Sequence, residues 1–143
     1  MLTLVEPQAS GIGGGGLMLH FAAATRQLQA WDGRETAPAA AAPTLFLRPD
    51  GQPMGFADAV EGGRSVGVPG LLRMLEAAHR EHGRLPWSRL MEPAIHAAEE
   101  GFPVSRRMAA AVAAAAEALA RTPSARAYFL DPGGNPWPPG SRK

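Results

Sequence analysis

Large apolar residues recur at every second position after residue 16: Leu17, Leu19 and Phe21 interleave with Met18, His20 and Ala22. That spacing of two predicts a strand over residues 17–21. Residues 25–27 read as a turn and 28–31 as a second short strand, so the pair predicts a hairpin. The stretch that follows holds Pro38, Pro43, Pro49 and Pro53 and a "PDG" turn at 49–51, which predicts a loop with at most a short extended piece at 45–47.

Beyond Pro69 the period changes. Leu71, Leu72, Leu75 and Ala78 share one face at helical spacing, and Gly83 supplies the stop. "LPWSRLMEPAIHAAEEGFPV" predicts two short helices, the second opened by Pro93 and closed by Gly101 and Pro103. Ser105 is placed to cap an alanine-rich helix running to about Arg121. Residues 131–143, "DPGGNPWPPGSRK", follow neither period and read as a truncated linker. The pattern gives an α+β chain, a strand hairpin plus a helical layer. A two-stranded sheet is marginal by itself, so further strands are expected outside these residues. Met1 opens directly into "LTLVEP", which reads as the tail of an apolar element cut from a longer chain.

Composition narrows the function classes. At 143 residues the chain has room for one domain with a core. Fourteen basic against thirteen acidic residues leave a net charge of +1, with the arginines scattered, so nucleic acid binding has no electrostatic footprint. The absence of cysteine removes disulfides, thiolate metal sites and cysteine nucleophiles together. His20, His79, His82 and His96 are the remaining neutral imidazoles, and no metal or cofactor site is expected. No apolar run approaches the roughly 18 residues of a membrane span. The first ten residues lack the basic leader and long apolar centre of a signal peptide.

Several short motifs compete for chemistry. Gly11, Gly13 and Gly16 match the GxGxxG spacing of a dinucleotide turn, with Asp32 at about the distance of a ribose-binding acid. That fingerprint needs a helix after the glycines to present amides to the pyrophosphate, and here a strand pattern follows. Glycines that let backbone pass close to backbone or substrate are the better reading. Gly63 to Gly67 spells GxSxG around Ser65, but Val68, Pro69 and Gly70 separate it from the helix that a nucleophile elbow requires. A triad of Ser65 with His79 or His82 and Glu76 or Asp58 is disfavoured because those histidines are expected on a surface helix. Their spacing of three also differs from the four of zinc proteases. Glu99 and Glu100 read as a solvated last helical turn. Arg34 of "DGRETAP" stands apart: it sits in a turn flanked by Asp32 and Glu35, where a guanidinium held in one orientation suits a carboxylate gripped through two parallel hydrogen bonds.

Three blocks, "VEPQASGIGGGGLML", "DGRETAPAAA" and "GRSVGVPGLLRMLEAAHREHGRLPWSRLMEPAIHAAEEGFPVS", closely resemble consecutive blocks of the large-subunit region of γ-glutamyltranspeptidases. The third is the most specific, with "HGRLPW", "EPAI" and "GFPV" in order. The resemblance covers Leu4 to about Met108. It implies a fragment of a four-layer αββα N-terminal-nucleophile hydrolase fold, made as a precursor that cleaves itself into large and small subunits. On that basis residues 1–130 are a partial large-subunit region and residues 131–143 the linker.

The resemblance also implies the chemistry. The N-terminal threonine of the small subunit attacks the γ-glutamyl amide of glutathione or a related donor. Water, an amino acid or a peptide then accepts the glutamyl group from the acyl-enzyme. The family's large-subunit arginine that pairs with the donor α-carboxylate corresponds to Arg34, a substrate-binding rather than a catalytic residue. None of Thr3, Thr25, Thr36, Thr44 and Thr122 stands in the family's threonine-threonine-histidine processing motif, so the chain alone is expected to be inactive without the missing small-subunit segment. Two other readings stand beside this one: a related acylase acting on glutaryl amides, and a catalytically dead remnant acting as an association surface. A periplasmic or secreted location is implied by the resemblance alone.

Overall fold

The computed structural model describes all 143 residues and contains two strands, β1 (Leu17–Ala22) and β2 (Gln27–Asp32), and six helices. These helices are α1 (Leu2–Val5), α2 (Phe56–Val60), α3 (Leu71–His82), α4 (Trp87–Glu100), α5 (Arg106–Ala120) and α6 (Pro123–Phe129). The chain separates into one unit of Ile12–His82 and another formed by Met1–Gly11 with Gly83–Lys143. None of the helices is long and apolar enough to cross a membrane.

In the Ile12–His82 unit the predicted hairpin forms, antiparallel, with Leu17 opposite Asp32, Leu19 opposite Ala30 and Phe21 opposite Leu28. The residue before β2, Arg26, turns the chain with φ 56. The side-chain alternation is real, but its large apolar side faces outward. Leu17, Leu19 and Phe21 are 73%, 70% and 59% exposed, whereas Met18, His20 and Ala22 are half-buried. The reason lies on the other face of the hairpin, where α3 packs. The ring of His82 stacks on that of His20 at 3.8 Å and 17°, and meets Trp31 edge-on at 6.2 Å. His82 Nε2 also lies 2.6 Å from Gln29 Oε1. The expectation that His82 sits on a surface helix is therefore corrected: the last turn of α3 is the part that docks on the sheet.

Helix α3 occupies its predicted range, and of its expected face Leu71 and Leu75 are half-buried, Ala78 is buried and Leu72 alone turns outward, with Met74 added to the buried line. Met74 and Ala78 are buried and Leu72 is 42% exposed. The proline-rich stretch is mostly loop, as expected, with a bridge between Leu47 and Pro53 and the "PDG" turn closed by Gly51 at φ 79. Helix α2 is too short to show a period in the sequence, whereas the glycine-bounded segment 63–67, expected to be a turn feeding α3, does form a 3-10 turn at Gly63–Ser65.

In the other unit Ser105 caps α5 as expected, its Oγ accepting from the Met108 amide at 2.9 Å and donating to Glu6 Oε1 at 3.1 Å. Glu6 Oε2 pairs with Arg107 Nε at 3.2 Å, so residues near the start of the chain are tied to the start of α5. Phe102, Val104, Met108, Val112 and Leu130 form the buried cluster, with Trp137 against it. Burial of such side chains contributes about 1.5–3 kcal/mol each. Residues 131–143 contain no helix or strand. They fold back by backbone pairing: Phe102 and Lys143 exchange both amide-to-carbonyl bonds, at 2.8 and 2.9 Å.

The two short helices expected around Pro93 are instead one continuous helix, α4, with Pro93 inside it. Trp87, Met91, Ala94 and Ala97 are half-buried and share a face across the proline, while Pro93 itself is exposed. A half-buried face on both sides of the proline favours one continuous helix, since most helical stability in proteins comes from such a face. The Arg89 carbonyl, which Pro93 cannot serve, is left on the side where solvent can hydrate it. Gly101 then ends the helix at φ 80, as the sequence suggested.

Candidate functional site

The turn "DGRET" begins where β2 ends. Asp32 Oδ1 accepts from the Arg34 backbone amide at 2.9 Å, closing the turn through a short polar side chain. Asp32 is thereby engaged with the Arg34 backbone rather than with its guanidinium. Gly33 extends the hairpin ladder by exchanging backbone bonds with Gly16, at 2.9 and 3.2 Å. Thr36 does the same with Val68, at 2.8 and 3.4 Å, which ties the far end of the turn to the segment leading into α3. The Leu71 amide donates to the Gly14 carbonyl at 3.1 Å, joining the start of α3 to the glycine run.

Four glycines make this assembly possible. A β-carbon on Gly15 would stand 2.7 Å from the Gly33 oxygen and 2.8 Å from Arg34 Cα. One on Gly33 would stand 2.6 Å from Met74 Cβ, and one on Gly67 2.8 Å from Glu35 Cβ. On Gly70 it would meet the Gly33 oxygen at 2.5 Å. These separations are far inside van der Waals contact, so no side chain fits at any of the four. Within the glycine run it is Gly15 that clears space for the Arg34 turn, while Gly11 and Gly13 meet nothing within 4 Å. The dinucleotide reading has no support in this geometry: the glycines lead into β1, with no helix after them to offer its amides.

Arg34 is held at its backbone by Asp32, and its exposed guanidinium lies beside Glu35. Its Nη2 lies 3.6 Å from Glu35 Oε2, and the side chain is 64% exposed. An ion pair this exposed contributes at most about 1 kcal/mol, so its role is orientation rather than stability. The guanidinium borders a cavity of about 530 Å³ whose walls include Glu35, Thr36, Leu45, Phe46 and Arg64. That volume is within the range of small-molecule sites. An exposed guanidinium at the rim of such a cavity is suited to a carboxylate.

The other sequence motifs are accounted for without chemistry. Ser65 Oγ donates to the Val60 carbonyl at 2.8 Å and lies 3.3 Å from that of Gly62, which pins the 3-10 turn. Its serine is a turn lock. His82 is engaged with His20, Trp31 and Gln29, and His96 Nδ1 lies 3.6 Å from Glu100 Oε1 along α4. No group of three or more His, Asp or Glu side chains is arranged to hold a metal ion. In the sequence Arg64 occupies a variable position of the GxSxG match, which assigns it no role. A glycine-bounded turn next to the proline-rich loop was the only signal that it would face the same cavity as Arg34.

Comparison with known proteins agrees with this architecture. The family model described as gamma-glutamyltranspeptidase matches residues 1–142. The chain is 42% identical over 135 residues to the glutathione hydrolase proenzyme of Bacillus subtilis, covering 94% of this chain and 23% of that protein. It is also 42% identical over 127 residues to scoloptoxin SSD14 of Scolopendra dehaani, covering 89% of this chain and 21% of that protein. The chain thus spans about a fifth of the length of these curated relatives. Among solved structures, the γ-glutamyltranspeptidase of Helicobacter pylori superposes with a TM-score of 0.89 at 33% identity, over 99% of this chain and 40% of that one. The α+β class expected from the sequence is the one observed, and the structural neighbours are N-terminal-nucleophile hydrolases.

Proposed function

This chain belongs to the gamma-glutamyltranspeptidase family, and from that premise we propose that it supplies the carboxylate-binding arginine of an enzyme acting on γ-glutamyl donors such as glutathione. Arg34 grips the α-carboxylate of the donor, and Glu35 holds the guanidinium in the receiving orientation. The observation that carries this reading is an exposed guanidinium, on a turn that four glycines pack into place, bordering a cavity of small-molecule size.

The bond-breaking groups are assigned elsewhere. A threonine outside these 143 residues, in the small-subunit segment, attacks the γ-glutamyl carbonyl. Its α-amine takes the hydroxyl proton and later delivers it to the leaving amine, while backbone amides stabilise the oxyanion. Water, an amino acid or a peptide then receives the glutamyl group. The chain by itself binds and orients, and does not turn over substrate.

Co-expression of the chain with the remaining large-subunit segments and the small subunit of a relative tests this division of labour. Release of product from a γ-glutamyl anilide by the complex, and by neither part alone, is the expected result. A stable complex that never acts on γ-glutamyl or glutaryl amides contradicts it and leaves an association surface as the role.

A further inference from the structure

Arg64 gives the cavity a second guanidinium. It sits in the middle of the 3-10 turn Gly63–Ser65, whose backbone is fixed by Ser65 Oγ bonding the Val60 carbonyl at 2.8 Å. Its Nη1 contacts the Leu45 carbonyl at 3.5 Å and Met54 Sδ at 3.2 Å. Both contacts are neutral, so its charge is uncompensated within its own surroundings. Arg34 by contrast has Glu35 beside it. The two arginines and one glutamate on the cavity wall leave a surplus of one positive charge.

A γ-glutamyl head does not remove that surplus, because its α-carboxylate and α-ammonium cancel. We propose that Arg64 is a specificity residue that receives a second carboxylate of the donor, one carried by the leaving group, as on the terminal glycine of glutathione. This rests on the γ-glutamyl reading of the Arg34 site. It gives donors with an anionic leaving group a lower KM than neutral ones, which the site still accepts, and gives Arg64 no part in bond breaking. An unpaired cation in a partly enclosed site favours an anion over its neutral isostere by electrostatic complementarity.

The test compares glutathione with glutathione amidated at its glycine carboxyl, in the complete protein that carries this chain, for the native form and for Arg64→Gln and Arg64→Lys. The native form should show a KM for the acid lower than for the amide by about fivefold, the size expected of a solvent-accessible ion pair. Arg64→Gln should bring that ratio to about one, and Arg64→Lys should keep most of it, with kcat for the two donors remaining alike throughout. A ratio of one in the native protein, or a preference that survives Arg64→Gln, overturns the assignment of Arg64 while leaving Arg34 in place. Failure to use either donor overturns the γ-glutamyl reading and the Arg64 assignment with it.

Discussion

Gly70 lies so close to Gly33 that a β-carbon on Gly70 would stand 2.5 Å from the Gly33 carbonyl oxygen. The segment entering α3 and the turn carrying Arg34 are therefore in backbone-to-backbone contact, a packing open to glycine alone. The same crowding recurs at Gly15 and Gly67, so the Arg34 turn is clamped from both sides.

The glycine run should respond to alanine unevenly. Gly13→Ala, with nothing within 4 Å of the new β-carbon, should leave the unfolding midpoint in urea nearly unchanged. Gly15→Ala collides with the Gly33 oxygen and Arg34 Cα, and should destabilise by about 1–3 kcal/mol, as overpacking does. Equal losses at the two positions would contradict the packing account.

Ser65→Ala should retain γ-glutamyl turnover in the complete protein. Its Oγ bonds backbone carbonyls, and removing it should cost about 1 kcal/mol of stability. Loss of turnover by orders of magnitude with the fold intact would restore the serine as a nucleophile.

Ser105→Ala removes both the cap of α5 and the hydroxyl that Glu6 accepts from. A loss of about 1 kcal/mol in chemical denaturation is expected. Ser105→Asp keeps a capping acceptor but sets a second carboxylate against Glu6. It should recover less than the ordinary worth of a cap.

Pro93→Ala should stabilise. The substitution restores an amide for the Arg89 carbonyl in the exposed side of α4, where a proline typically costs up to about 3 kcal/mol relative to alanine. A gain of about 1 kcal/mol or more in urea unfolding is expected. A loss would mean that the proline ring makes packing contacts outweighing the missing hydrogen bond.

What the sequence made legible was whatever local rules decide. The hairpin, α3, the Ser105 cap and the Gly101 stop each follow from a period or a residue with one conformational use. What it concealed was decided by packing. Pro93 reads locally as a boundary, yet the half-buried line from Trp87 to Ala97 runs through it. The alternation at 17–22 predicts a strand without saying which side is covered, and His82 docking on His20 selects the side that looks less apolar. Arg34 was visible as a turn arginine, and the resemblance to a family gave it a role. The glycine cage around it, contributed by residues up to 55 positions apart in sequence, could be found only in three dimensions.

The central claim is that Arg34 binds the α-carboxylate of a γ-glutamyl donor, and steady-state kinetics of Arg34→Ala and Arg34→Lys in the complete protein test it most directly. Removing one partner of an ion pair that the donor desolvates should raise KM by roughly 30-fold or more, a loss of about 2 kcal/mol or more. Arg34→Lys should recover part of that loss, since it keeps the charge without the planar fork. A KM for Arg34→Ala equal to that of the native protein would contradict the account.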